Sequence, residues 1–231
     1  MRIWDINPGY LNRQSLLGEH RELHGIVSII KNNKKGYSKH PETLRWVGHG
    51  WALKQRHKLL VAEMNLRGYI DRSPVSLRSN FNAWPEAFID TPADQFKILA
   101  KKYQSIDQGR IPLPVNAQQL WAQHKYSVMA RDLSAYKNIG RWVASQQGKH
   151  ALDDVAQELV RIMQMPPARH LVQNTLLHMW GYVSGYTNTN NHDVQSMSSK
   201  KLLKRIRQLV IENKEPYLHA STALGELSGW D

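Results

Sequence analysis

The chain has no cysteine among its 231 residues. That absence excludes disulfides, thiolate metal sites and cysteine nucleophiles. Nor does any apolar run approach the roughly 18 residues that a membrane span requires. The first residues are not expected to act as a secretory leader, because Asp5, Asn7 and Pro8 interrupt them. Strict alternation of apolar and polar residues is missing, and so is any internal repeat, so neither strands nor a repeat array is expected. Together these absences point to a soluble, cytoplasmic protein that meets no membrane.

What is present is positive charge. Lys and Arg outnumber Asp and Glu by 31 to 19, a net +12. Residues 1–115 hold 18 of the cations and 10 of the anions, so +8, and residues 116–231 hold 13 and 9, so +4. With eight Trp and nine Tyr beside that charge, the composition points to a polyanionic partner, nucleic acid first. The hydrophobic share of 41% is that of a globular chain, and the length suits one large domain or two small ones.

Helical periodicity dominates. Leu16, Leu23, Val27 and Ile30 recur on one face, so a helix is expected within 10–32. Pro41 opens a short helix, and a further helix over about 50–67 ends at Gly68. Residues 70–92 are rich in Pro, Ser and Asn and read as a loop. A helix follows at about 93–105, then the Pro-containing stretch DQGRIPLPVN. Beyond it, helices are expected at about 116–130, 133–146, 151–164, 167–184 and 197–213. The polar stretch GYTNTNNHD is expected to be mobile. The fold class is therefore all-α, with a compact helical N-terminal domain over 1–112 and a helical C-terminal domain over 113–231.

The first helix carries the motif GEHRELHG. His20 and His24 are four apart and share a face, as two metal ligands would. Glu22, however, lies about 200° around the helix from His20, and no third ligand is evident from spacing. Histidines held in or near the core, with no metal, are the expectation. Another face carries Ser15, Glu19 and Glu22, with Gln14 and Arg21 on an adjacent stripe.

The stretch MRIWDINPGYLNRQSLLGEHRELHG, continuing into WVGHG and LRGY, resembles the pyrimidine-dimer DNA glycosylase family over roughly residues 1–75. The resemblance implies a compact helical domain with its N-terminal segment threaded between helices. It implies that an N-terminal α-amine is the nucleophile and that the Glu of the Arg-Glu-Leu motif, here Glu22, is the key acid. Arg2 is too bulky a second residue for Met removal, so the α-amine of Met1 is the expected nucleophile. An α-amine suits the task, since its ordinary pKa is about 7.7–8.0 against about 10.4 for lysine. The same resemblance places Arg2 beside the nucleophile, Gln14 on the nucleic acid and His49 in a Gly-His element. Arg21, His20 and His24 join these as expected nucleic-acid contacts. Ser15 stands where the family has a histidine. The implied reaction removes a damaged or modified pyrimidine through an imine and cleaves the strand at the abasic site. It needs no cofactor.

Residues 120–182 resemble a second family, the YbgA-type helical domain, through AQHKYSVMARD, YKNIGRWVAS and NTLLHMWGY. Its members occur fused to enzymes acting on thiolated uracil in transfer RNA. That implies a rival substrate, RNA carrying a modified pyrimidine, or a non-catalytic nucleic-acid-binding role. Lys125 and Arg131 are the candidate phosphate contacts here, among aromatics suited to base stacking.

Overall fold

In the computed structural model, residues 1–77, 81–145, 151–189 and 191–230 are described. The first helix, α1 (Arg13–Asn32), starts where the Asn12 side chain accepts the Ser15 N–H at 2.9 Å, and ends at Asn33 in the left-handed region (φ 48°). Short α2 (Pro41–Arg45) begins at its proline, and α3 (Gly50–Leu66) stops just before Gly68, whose φ of 83° turns the chain back. Thr91 caps α4 (Pro92–Lys102), and Asn116 caps α5 (Ala117–Met129). There follow α6 (Leu133–Ser145), α7 (Ala151–Met163), α8 (Arg169–Trp180), α9 (Asn191–Ser196) and α10 (Ser199–Asn213). Two short helices, α11 (Pro216–His219) and α12 (Ala223–Glu226), complete the order. No strand occurs among the described residues, and the fold is all-α as the periodicity predicts. None of the described helices is long and apolar enough to cross a membrane. Within GYTNTNNHD, residue 190 lies outside the described residues, and the stretch expected to be mobile runs on into α9.

Two apolar cores form. The larger runs from Ile3 through Leu16, Leu23, Leu53 and Leu60 to Leu99 and on to Leu159. The smaller gathers Leu176, Trp180, Leu202, Ile206, Leu218 and Leu224. Helix α5 serves both: Leu120, Trp121 and Val128 face the first, and Tyr126, Met129 and Ala130 the second. The expected boundary at 112/113 thus falls in the segment ahead of α5, while the larger core is shared across it.

Buried ion pairs tie the layers together. Arg110 grips Glu63 of α3 through hydrogen bonds of 2.9 and 2.8 Å and also donates to the His219 carbonyl. Burial alone would raise the Glu63 pKa, but Arg110 and Arg67 outweigh it and hold it below the ordinary carboxylate range.

The N-terminal segment is embedded like a strand with no sheet. Its backbone groups find partners one by one, because a buried amide without one is costly. Trp4 N–H donates to Glu19 at 3.1 Å, and Asp5 and Ile6 N–H donate to Gln95 at 2.8 and 3.4 Å. The Ile6 carbonyl accepts from Arg56 at 2.8 Å. Further along, Ile111 N–H donates to the Gly9 carbonyl at 2.9 Å, and a Cβ on Gly109 would stand only 2.4 Å from the Tyr10 carbonyl carbon. Glycine at 109 is what lets the two segments touch.

Glu19 is the hub. Its carboxylate, fully enclosed, takes two hydrogen bonds from Arg56 at 2.7 and 2.8 Å besides the Trp4 N–H. Burial raises the Glu19 pKa, against the opposing pull of Arg56. Glu19→Leu leaves the Arg56 guanidinium buried without its counter-charge. Urea unfolding is expected to show a loss of about 3–5 kcal/mol. The double variant Glu19→Leu/Arg56→Met is expected to be less destabilised than Glu19→Leu alone; equal or greater loss would show that the charge pair is not the cause.

A second expectation concerns acid. His124 is buried beside Tyr10, with its Nδ1 2.9 Å from the Leu120 carbonyl, and burial pushes its pKa down to about 4. The unfolded chain binds a proton near pH 6.5 that the fold refuses. Stability is therefore complete above that value and is lost as pH falls toward 4, by up to about 3 kcal/mol from this group. His124→Gln should give a shallower stability profile over that window; an unchanged slope would refute the assignment.

Candidate active site

The anchored segment delivers the terminus to α1. Glu19 holds Trp4, and one helical turn on, the Glu22 carboxylate accepts the backbone N–H of Arg2. Met1 is half-buried and packs against the larger core. Its α-amine is thus one residue from the Glu22 carboxylate, which is itself partly open to solvent. The Arg2 guanidinium turns to Asp90, 2.6 Å away, and lies 4.9 Å over the Trp4 ring. Arg45 pairs with Asp5 within the same group of charges.

Beside this terminus opens a cleft of about 460 Å³ lined by Pro41, Arg45, His49, Phe88 and Ile89 among others. His49 stands at the N-terminus of α3, its Nδ1 3.0 Å from the Ala83 carbonyl. Two of its lining residues lead directly to the terminus, Arg45 through Asp5 and Ile89 through its neighbour Asp90. Met1, Arg2 and Glu22 therefore sit together, and His49 lines the neighbouring cleft. Gln14 and Arg21 are exposed on α1.

His20 and His24 face elsewhere. Both turn away from Glu22 toward α3, where His57 and the carboxylate of Asp71 meet them. The ring centroids of the three imidazoles are 4.7, 4.9 and 5.1 Å apart. His20 Nε2 is 3.2 Å and His57 Nε2 3.6 Å from the Asp71 oxygens. Spacing along α1 revealed no third ligand-type residue, and the fold supplies two. Burial, with His20 adding to it, lowers the His24 pKa, and burial pushes His57 down to about 4 against the pull of Asp71. Both rings are neutral at neutral pH.

In the second half, the expectations separate. The Lys125 ammonium lies over the Tyr126 and Tyr217 rings, at 4.9 and 4.8 Å. Arg131, expected on phosphate, is instead buried. It donates to the Met165 and Ser127 carbonyls at 2.6 and 2.9 Å, pairs with Glu226 and faces the Trp230 ring. A guanidinium so fully engaged inside is a structural tie, which corrects the expectation of a phosphate contact.

Residues that the sequence reading did not single out do much of the positioning: Arg56, Asp90, Gln95, His57 and Asp71. Glu19 did have a local signal, three residues before Glu22 on the face it shares with Ser15. The others come from segments 33 to 90 positions from the groups they meet on α1 and the terminal segment, and carry no spacing rule.

Comparison with known families finds two separate regions of similarity. No curated protein and no solved structure gives a significant match. Residues 1–77 match the family model described as pyrimidine dimer DNA glycosylase. Residues 125–226 match a family described as a protein of unknown function (DUF1722). The chain thus joins an N-terminal region similar to the pyrimidine dimer DNA glycosylase family to a C-terminal region similar to a family whose function is unknown.

Proposed function

We propose that the protein is a DNA glycosylase with abasic-site lyase activity, acting on damaged or modified pyrimidines through the α-amine of Met1. The observation that carries this reading is the Glu22 carboxylate on the Arg2 N–H, one residue from that amine. The match of residues 1–77 to a DNA glycosylase family supports the substrate class.

The chemistry follows from the parts. The neutral amine nitrogen bonds to C1′ of the damaged nucleotide, and the glycosidic bond breaks. The base leaves with its electron pair and is protonated. Loss of the amine proton and opening of the sugar give an imine between Met1 and C1′. Glu22 stabilises the positive charge that develops on the sugar and relays protons. Removal of a C2′ proton then expels the 3′ phosphate, and water frees the enzyme. The reaction needs the lesion nucleotide displaced from the stack, which is least costly where stacking is already disturbed. The cleft lined by His49 and Phe88 offers space for a displaced base. Exposed Gln14 and Arg21 supply contacts to the backbone from the same helix.

The test is borohydride reduction of the protein on a duplex carrying an abasic site. A covalent adduct is expected with the native chain. It should vanish when the N-terminus is acetylated, and Glu22→Gln is expected to lower strand cleavage at least 100-fold, the lower end of the usual range of about 10²–10⁴ for a proton-transfer group. Failure on abasic DNA together with an adduct on abasic RNA would move the substrate to RNA. Failure on both, with salt-sensitive binding retained, would leave a binding module.

A further inference from the structure

The four groups His20, His24, His57 and Asp71 play no part in the amine chemistry, yet they converge. One donor atom from each lies within 4.8 Å of the others. Two come from adjacent turns of α1, one from α3, and one from the segment that follows Gly68. The Nε2 atoms of all three histidines are buried without an aligned hydrogen-bond partner. A folded interior rarely leaves even one such nitrogen unpaired, and three facing each other around a carboxylate is a costly arrangement unless something shares their lone pairs.

We infer that His20, His24, His57 and Asp71 form a structural site for a divalent cation of the zinc type. The donor chemistry is right: three imidazole nitrogens and one carboxylate oxygen are ligands that zinc accepts in tetrahedral array. With metal–ligand bonds of about 2.0–2.1 Å, tetrahedral donors stand about 3.4 Å apart. The His20–Asp71 separation of 3.2 Å and the His57–Asp71 separation of 3.6 Å already match that spacing. The remaining pairs need at most about 1.5 Å of closure to reach it. Four protein ligands fill the tetrahedron and leave no position for substrate, so the ion's role is to hold the structure.

What it would hold is specific. Asp71 Oδ1, the oxygen nearest His20, also accepts the Ser73 N–H at 3.0 Å, which ties the carboxylate to its own segment. The ion would clip this segment to α1 and α3 at once. His20 and His24 bracket Glu22 in sequence, so the clip would fix the part of α1 that presents the catalytic carboxylate on its other side. A solvent-open cleft of about 490 Å³, with His57 and Asp71 in its wall, gives the ion its way in.

The test uses the untagged, full-length chain, dialysed against chelator and then titrated with Zn²⁺. About one ion per chain should survive gel filtration, and the melting temperature should rise by roughly 5–10 °C. Co²⁺ in its place should give the visible bands of a tetrahedral N₃O site. His57→Gln and His24→Gln should abolish retention, and Asp71→Asn should weaken binding at least tenfold, whereas His40→Gln, outside the cluster, should change nothing. If His57→Gln fails to fold by circular dichroism, Asp71→Asn, at the rim of the cluster, decides. No retained ion in the native chain, or retention equal in native chain and cluster variants, overturns the proposal. Neither result bears on the imine chemistry, which is read separately by reductive trapping.

Discussion

The enclosed carboxylate of Glu19 and the guanidinium of Arg56 meet through two hydrogen bonds, and the position of the N-terminus depends on that meeting. Each partner has a further bond to the terminal segment, Glu19 to the Trp4 N–H and Arg56 to the Ile6 carbonyl. The pair therefore does more than join α1 to α3. It fixes residues 4–6 in the space between them, and residues 1 and 2 can then only reach the next turn of α1. Such a terminus would fray if left to itself. Held this way, it becomes a fixed element, as the proposed terminal nucleophile must be to act on a reacting carbon.

The same logic distributes labour along α1. One side carries Glu19 inward, Glu22 faces the terminus, and His20 with His24 faces α3. Three separate sets of contacts occupy one helix because its period presents different sides at successive positions. Gln95 and Asp90, on or beside α4, complete the enclosure from the opposite direction. The second half of the chain braces this unit: Arg110 joins α3 to the His219 carbonyl, and Gln55 donates to the Gly229 carbonyl at 2.8 Å. Its own cations are partly spent on that bracing, as Arg131 illustrates.

Much of this was legible in the amino-acid order. The helices of α1, α3 and α5 follow from apolar spacing, and the end of α3 from Gly68, while the capping of α1 by Asn12 and of α5 by Asn116 came from the fold. Glu22 and the tucked terminus were legible through the Arg-Glu-Leu resemblance rather than through any periodic rule. What escaped was tertiary. The ligand-type partners of His20 and His24 lie 33 and more positions away, on α3 and in a loop, where no spacing announces them. Arg131 sits among aromatics and cations in the sequence, which reads as a nucleic-acid surface until Glu226 arrives from 95 residues on. The short helices α9, α11 and α12 are too brief to show a period.

The central claim is that an anchored terminus and Glu22 form one reacting centre. It is tested most directly by a crystal structure of the borohydride-reduced complex with abasic DNA. The account predicts continuous density from the Met1 nitrogen to C1′, with the Glu22 carboxylate in hydrogen-bonding reach of that linkage and the Glu19–Arg56 pair intact. A bond from C1′ to a lysine, or a terminus withdrawn from Glu22 in the complex, would contradict it.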